Sequence, residues 1–102
     1  QGDFAMTGVA VTMTVGDAAR CREARIVLFG VGPAPTRARG AEQLLVGEVL
    51  EPPLLERAAR KASEDLEEPL SDVHASAEYR RHLAEVLTRR SLTEAAGRAS
   101  GG

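Results

Sequence analysis

The feature that most constrains this sequence is a change in hydrophobic period about a third of the way along the chain. Over residues 4–15 apolar and polar side chains alternate with a period of two, which is typical of a half-buried strand. The segment 21–31 repeats the alternation, and Gly16 with Asp17 supplies a turn between the two. These patterns predict an antiparallel hairpin, followed by a short third strand over 36–38.

Beyond residue 38 the apolar positions take the spacing of helices. A short helix is predicted over 38–45, ending before Gly47, a second begins at Pro53, and a third covers 75–96. The predicted buried positions of the last two are Leu54, Leu55, Ala58, Ala59, Ala62 and Leu66, then Tyr79, Leu83, Val86 and Leu87. Strands followed by helices predict an α+β sandwich, with an antiparallel three- to four-stranded sheet and about three helices.

The length and charge of the chain narrow the classes of function. Its 102 residues suit one domain, which we predict to span 1–96 with a flexible tail over 97–102. The formal net charge of -2 gives no reason to expect nucleic acid or an anionic membrane as a partner. No apolar run is long enough to cross a bilayer, so a cytoplasmic protein is expected.

A glycine-rich segment after the second predicted strand invites comparison with a phosphate-binding loop. Gly30 and Gly32 are followed by Pro33, and Pro35 stands where the third glycine of a dinucleotide-binding loop would come. No helix begins directly after it to offer its N-terminus to a phosphate. We therefore interpret the segment as a structural bend.

Metal ligands and nucleophiles are equally sparse. His74 and His82 lie eight residues apart without a third histidine, whereas a zinc site needs at least three protein ligands. Cys21 is the only cysteine, which excludes an internal disulfide, and it is interpreted as a small apolar residue rather than a nucleophile. No catalytic residue and no metal ligand is predicted.

Several short segments, in order along the chain, carry a family resemblance. They read GDFA at 2–5, CREARIVL at 21–28 with GVGP at 30–33, TRA at 36–38 with AE at 41–42, SDVHASAEYRR at 71–81, and LTRRSL at 87–92. Together they resemble the C-terminal domain of the FAD-binding (medium) subunit of the molybdenum hydroxylase family. That family includes carbon monoxide dehydrogenase and xanthine dehydrogenase.

The resemblance implies a three-part enzyme that carries FAD, iron–sulfur clusters and a molybdenum cofactor. The expected partners are the N-terminal FAD-binding domain, the molybdenum-cofactor subunit and the iron–sulfur subunit. FAD would belong to the parent subunit and be bound mostly by a domain other than this one, so this chain alone is not expected to hold it. The alternative is a free-standing small α+β binding or oligomerisation module. Such a module could form a homodimer, because an exposed sheet edge can pair with a second copy.

Two sets of residues are candidates for function. The resemblance implies that Gly2 and Asp3 lie near the flavin ring, where a carboxylate would influence its redox behaviour. The alternative for Asp3 is a solvated carboxylate at a strand entrance. Asp72, Tyr79 and Arg80 at the start of the last helix are predicted either to dock a partner or to form an internal network that anchors the helix.

The last helix also carries a basic side. Its arginines are Arg80, Arg81, Arg89 and Arg90. A solvated helix face is the simplest interpretation, and a docking surface for an acidic partner subunit is the alternative.

Overall fold

The computed structural model describes residues 8–29, 35–64 and 77–101, and within these ranges it has three strands followed by three α-helices. The strands are β1 (Gly8–Val15), β2 (Cys21–Phe29) and β3 (Thr36–Arg37). The helices are α1 (Arg39–Leu45), α2 (Pro52–Glu64) and α3 (Ala77–Gly101). The strands form one antiparallel sheet in the order β1-β2-β3. The predicted α+β class and the order of its elements are confirmed.

The pairing of β1 with β2 separates the two faces of the sheet. Val11 lies opposite Ile26 and Met13 opposite Ala24, and these pairs point toward the helices. Thr12 lies opposite Arg25, and both are exposed on the other face. The alternation along 4–15 therefore predicted the orientation of β1 correctly over its described part. The sheet has an apolar inner face and a polar outer face.

A β-bulge alters the orientation of side chains at the start of β2. Thr14 pairs with Glu23 and Val15 with Cys21, so Arg22 is an extra residue without a partner opposite it. Because the bulge shifts the alternation by one residue, Cys21 and Ala24 both point into the core. The bulge thereby leaves Arg22 and Glu23 exposed in succession.

The connection between β1 and β2 is longer than a two-residue turn. It contains a 3₁₀ turn over Asp17–Ala19. The N–H of Gly16 donates to the carbonyl oxygen of Arg20 at 2.8 Å, which closes the loop. A Cβ on Gly16 would lie 2.6 Å from Cγ of Arg22, so glycine leaves the space in which the arginine stem lies.

The core lies between the inner sheet face and the three helices. Ile26 and Leu28 from the sheet and Leu45 from α1 have no exposed surface, and each such side chain contributes about 1.5–3 kcal/mol of burial free energy. The apolar face of α2 is buried as predicted, at Leu54, Leu55, Ala58, Ala59 and Ala62. The predicted sixth position, Leu66, lies outside the described residues. Small alanines allow α2 to pack closely against both α1 and α3.

The buried stripe of α3 differs from the predicted one. The fully buried positions are Ala84, Thr88 and Leu92, whereas Leu83, Val86 and Leu87 are only half-buried. Leu83 and Leu87 instead flank the stripe and pack against the cluster that contains Leu28. At Ala84 and Thr88 the innermost side chains are small, which lets this part of the helix lie closer to its neighbours than a row of leucines would allow. The prediction weighted hydrophobicity and overlooked this size requirement.

The helix boundaries agree closely with the predicted ones, with three adjustments. The first helix begins at Arg39, one residue after the predicted start. The second helix begins at Pro52, one residue before the predicted start. The third continues to Gly101 and so includes most of the segment predicted to be a tail. Its predicted start at residue 75 lies outside the described residues.

Gly47 ends the first helix in the predicted manner. The last helical residue is Leu45, and Gly47 has a φ of +87°, which favours glycine. Its N–H donates to the carbonyl oxygen of Cys21 at 2.8 Å, while the N–H of Cys21 donates to the carbonyl oxygen of Glu48 at 2.9 Å. These bonds join the α1–α2 connection to the beginning of β2.

Candidate docking groove on the outer sheet face

A buried carboxylate joins α1 to the sheet. Glu42 lies on α1 and is only 6% exposed, which is rare for a carboxylate unless it is paired. Its Oε2 accepts a hydrogen bond from the backbone N–H of Ile26 at 2.9 Å. Its two oxygens also accept from Nε of Arg37, at 3.0 Å and 2.9 Å. The carboxylate is therefore satisfied by a strand N–H and by an arginine on the neighbouring strand.

The Glu42 carboxylate replaces a strand at this point of the sheet. β3 pairs with β2 through only two residue pairs, Val27 with Arg37 and Leu28 with Thr36. One further ladder bond follows, from the N–H of Ala38 to the carbonyl oxygen of Ile26 at 2.9 Å. The N–H of Ile26 would have no strand partner, and the carboxylate supplies the acceptor that a buried N–H requires.

Arg37 is held in place by the same contact. Its hydrogen bond with Glu42 raises the pKa of the Arg37 guanidinium above its ordinary value, so Arg37 stays positively charged beside the carboxylate. Both residues belong to motifs that carry the family resemblance, Arg37 to TRA at 36–38 and Glu42 to AE at 41–42. The closeness of these motifs along the chain was a signal for the pair. Neither residue was a predicted site residue.

An open groove of about 800 Å³ lies beside this pair, at the border between the outer sheet face and α1, next to the part of β2 that β3 does not cover. It is lined from both strands of the hairpin, from the short β3 and from α1. The lining residues are Thr12, Met13, Thr14, Arg22, Glu23, Ala24, Arg25, Arg37, Arg39, Glu42, Gln43 and Val46.

The groove carries an excess of positive charge. Four arginines line it, against the carboxylates of Glu23 and Glu42, and Glu42 is already paired with Arg37. Among the described residues, the guanidinium groups of Arg22, Arg25 and Arg39 have no hydrogen-bonding or ion-pair partner. This arrangement can attract an anionic group but contains no nucleophile placed beside a base.

Most of the predicted site residues lie outside the described part of the chain. These are Gly2, Asp3 and Asp72, and also His74, which was interpreted as structural. Tyr79 and Arg80 belong to the first turn of α3, but their side chains are not among those described. The structure therefore does not test whether these residues meet, and their roles stay predictions.

The structure describes the positions of Cys21 and His82, which were weighed above as a nucleophile and as a metal ligand. Cys21 is 2% exposed in the core, where its Sγ donates to the carbonyl oxygen of Glu23 at 3.3 Å, and burial raises the pKa of the thiol. A protonated, buried thiol is a poor nucleophile, which agrees with its predicted role as a small apolar residue. His82 is exposed on α3.

The described residues contain neither a cluster of metal ligands nor a helix that could span a membrane. Within 8–29, 35–64 and 77–101 there is no group of three or more His, Cys, Asp or Glu side chains that could hold a metal ion. None of the helices in the described part combines the length and apolar character that a bilayer crossing requires.

The sheet-and-helix arrangement agrees with a known family. The family model described as "CO dehydrogenase flavoprotein C-terminal domain" matches residues 1–95. The chain belongs to this family. The family expected from the sequence resemblance is therefore confirmed.

Relatives in this family are components of oxidoreductases. The chain is 38% identical over 98 residues to the carbon monoxide dehydrogenase medium chain of Afipia carboxidovorans, covering 96% of this chain and 33% of the relative. It is 31% identical over 105 residues to the xanthine dehydrogenase FAD-binding subunit of Escherichia coli O157:H7, covering 96% and 36%. The crystal structure of quinoline 2-oxidoreductase from Pseudomonas putida 86 superposes with a TM-score of 0.76 at 36% identity, covering 89% of this chain and 30% of that chain.

The chain spans about a third of the length of the curated relatives that it matches. The likeness therefore concerns one domain of those relatives. The match gives no information on what the remaining two thirds of those relatives bind or catalyse.

Proposed function

We propose that the chain serves as the non-catalytic C-terminal domain of the flavin subunit of a molybdenum-containing oxidoreductase. It completes the FAD environment and docks partner subunits during electron transfer. The observation that carries the proposal is the family match over residues 1–95, together with a fold that superposes on oxidoreductase structures at TM-scores of 0.76 to 0.78.

The described residues do not fit FAD by themselves. A bound pyrophosphate needs a glycine-rich turn at a helix N-terminus or a similar nest of backbone N–H groups. Neither α1 nor α2 begins with such a turn, because α1 begins at Arg39, one residue beyond β3, and α2 begins at Pro52. We assign most of the FAD contacts to the N-terminal FAD-binding domain of the parent subunit.

Gly2 and Asp3 are the proposed contribution of this domain to the flavin environment. A carboxylate near the flavin ring would disfavour the negatively charged reduced form and so lower the reduction potential. Replacing Asp3 by Asn in the assembled protein should raise the flavin potential. The matched control is Asp17→Asn, since Asp17 is exposed in the 3₁₀ turn. Equal potentials for wild type and Asp3→Asn would contradict a role for Asp3 beside the flavin.

The partner assignment has its own test. The protein purified from its native source should be accompanied by FAD, by a molybdenum-cofactor subunit and by an iron–sulfur subunit. Flavin absorbance, metal analysis and mass spectrometry of the co-purified chains would report each component. Purification as a lone chain or as a homodimer, with no flavin and no other subunit, would favour the small binding or oligomerisation module instead.

The proposed docking residues Asp72, Tyr79 and Arg80 can be tested in the same preparation. Tyr79→Phe removes only the hydroxyl group and Arg80→Ala removes the charge. A docking role predicts loss of subunits from the complex with unchanged thermal stability of this domain. An internal anchoring network predicts the reverse.

A further inference from the structure

The outer sheet face has no helix against it in the described part of the chain, because all three helices pack on the inner face. Thr12 and Arg25 are paired across β1 and β2 and are both exposed there. Exposed arginines are ordinary on a solvated sheet face. What distinguishes this one is that four arginines line a single groove, with only one of them paired to a carboxylate.

The fold itself brings these arginines to one surface. Val27 lies directly opposite Arg37, so Arg25 is the diagonal neighbour of Arg37, a position within reach of long side chains. Arg37 is fixed by Glu42, and the β-bulge places Arg22 on the same groove with its stem over Gly16. Arg39 enters from the first residue of α1. Four arginines on three elements thus line one open groove.

We propose that this groove is a docking surface for an acidic polypeptide segment of a neighbouring domain or subunit. The inference rests on the proposed function, because it assigns a surface and a partner chemistry to the docking role. The guanidinium groups of Arg22, Arg25 and Arg39 each lack a partner among the described residues and would pair with carboxylates, which guanidinium groups bind in a bidentate manner. Glu23 is the unpaired carboxylate of the groove and would disfavour a second acidic group at that point.

The surroundings favour a polypeptide over nucleic acid. The groove has an apolar component, since Val46 lines it and is 48% exposed. No aromatic residue lines it to stack on a base. The chain as a whole has a net charge of -2, which opposes approach to a polyanion and does not prevent a local pairing with a few carboxylates.

Zero-length cross-linking tests the contact directly in the native complex. Lys61 is the only lysine of the chain, so Arg25→Lys and Arg39→Lys introduce amines at the groove without changing the charge. A carbodiimide then joins these amines only to carboxylates in direct contact, and mass spectrometry identifies both residues. We expect positions 25 and 39 to be joined to Asp or Glu side chains of another domain or subunit. The matched control is Arg57→Lys, because Arg57 is exposed on α2, away from the groove.

Charge reversal supplies the second measurement. The double variant Arg25→Glu and Arg39→Glu should weaken assembly of the complex by about tenfold or more, and added salt should weaken the wild-type complex in the same direction. Arg57→Glu with Arg89→Glu, both on exposed helix positions, should leave assembly unchanged. Circular dichroism of the variants shows whether the fold is retained.

The outcomes separate this inference from the proposed function. If the wild-type complex forms but positions 25 and 39 give no cross-link, or only links to carboxylates within this domain, the docking groove is wrong and the proposed function stands. Equal cross-linking at position 57, or equal loss of assembly in the control variant, also overturns it. If no complex with other subunits exists, the proposed function itself fails.

Discussion

Removing the Glu42 carboxylate should destabilise the domain through the sheet and not through lost apolar packing. In Glu42→Ala the N–H of Ile26, now bonded at 2.9 Å, loses its acceptor in a position that a strand does not cover. A buried N–H left without a partner costs about 1–3 kcal/mol. Arg37 is partly exposed, so water replaces much of what it loses. We therefore expect the free energy of unfolding to fall by about 1–3 kcal/mol.

The conservative variant separates hydrogen bonding from charge. In Glu42→Gln one amide oxygen can still accept from Ile26, so the loss should be less than half of that in Glu42→Ala. Urea unfolding followed by circular dichroism gives both values, and a loss of 1 kcal/mol lowers the melting temperature of a domain this size by about 4–8 °C. The control is Glu94→Ala, at an exposed position in the middle of α3, for which the change should stay within about 0.5 kcal/mol.

Two results would refute this reasoning. If Glu42→Ala unfolds at the same urea concentration as the wild type, the Ile26 N–H is not desolvated in the protein. If Glu42→Gln is as unstable as Glu42→Ala, charge pairing with Arg37 carries the stability and the replaced strand contact does not.

Three further predictions follow from single positions. Thr88→Val should raise the free energy of unfolding by about 1 kcal/mol, because the buried Oγ1 of Thr88 has no hydrogen-bond partner in the described structure. Thr88→Ser keeps the hydroxyl group and should bring no such gain. Equal melting temperatures for Thr88→Val and wild type would count against this prediction. Gly47→Ala should destabilise the domain by about 1–2 kcal/mol through the positive φ of residue 47 alone, since nothing lies near the added Cβ. Gly97→Ala within α3 should instead stabilise the domain. Changes of the melting temperature in the same direction for both variants would contradict the backbone argument. The folded-state pKa of Cys21 lies above its unfolded value, so its thiol stabilises the fold fully below about pH 8.5 and progressively less as the pH rises. Cys21→Ala should therefore reduce the fall in the free energy of unfolding at alkaline pH. An unchanged fall would show that other groups cause it.

Much of the fold could be predicted from the residues because its elements have clean periodicities. The alternation of Val11, Thr12 and Met13 is enough to orient β1, since one face of a sheet must be apolar. The apolar face of α2 was equally readable. Pro52, next to the predicted start at Pro53, and Gly47 mark a helix start and a helix end through their own backbone preferences, which act without tertiary contacts.

The stripe of α3 shows where periodicity is insufficient. Leu83 and Leu87 have the right spacing for a buried face, but Ala84 and Thr88 occupy the closest approach to the neighbouring elements. Which of two adjacent rows is innermost depends on the distance between packed elements. That distance is a property of the whole core and cannot be obtained from the helix alone.

The sequence alone therefore determined the class of fold, the order of its elements and the family, because these depend on local period, turn chemistry and short ordered motifs. The groove was decided only by tertiary structure. Arg22, Arg25, Arg37 and Arg39 look like scattered charges along the chain, and one bulge, one two-pair strand contact and one buried carboxylate bring them to a common surface. Side-chain direction at these points is set by partners distant in sequence, which is why periodicity could not reveal it.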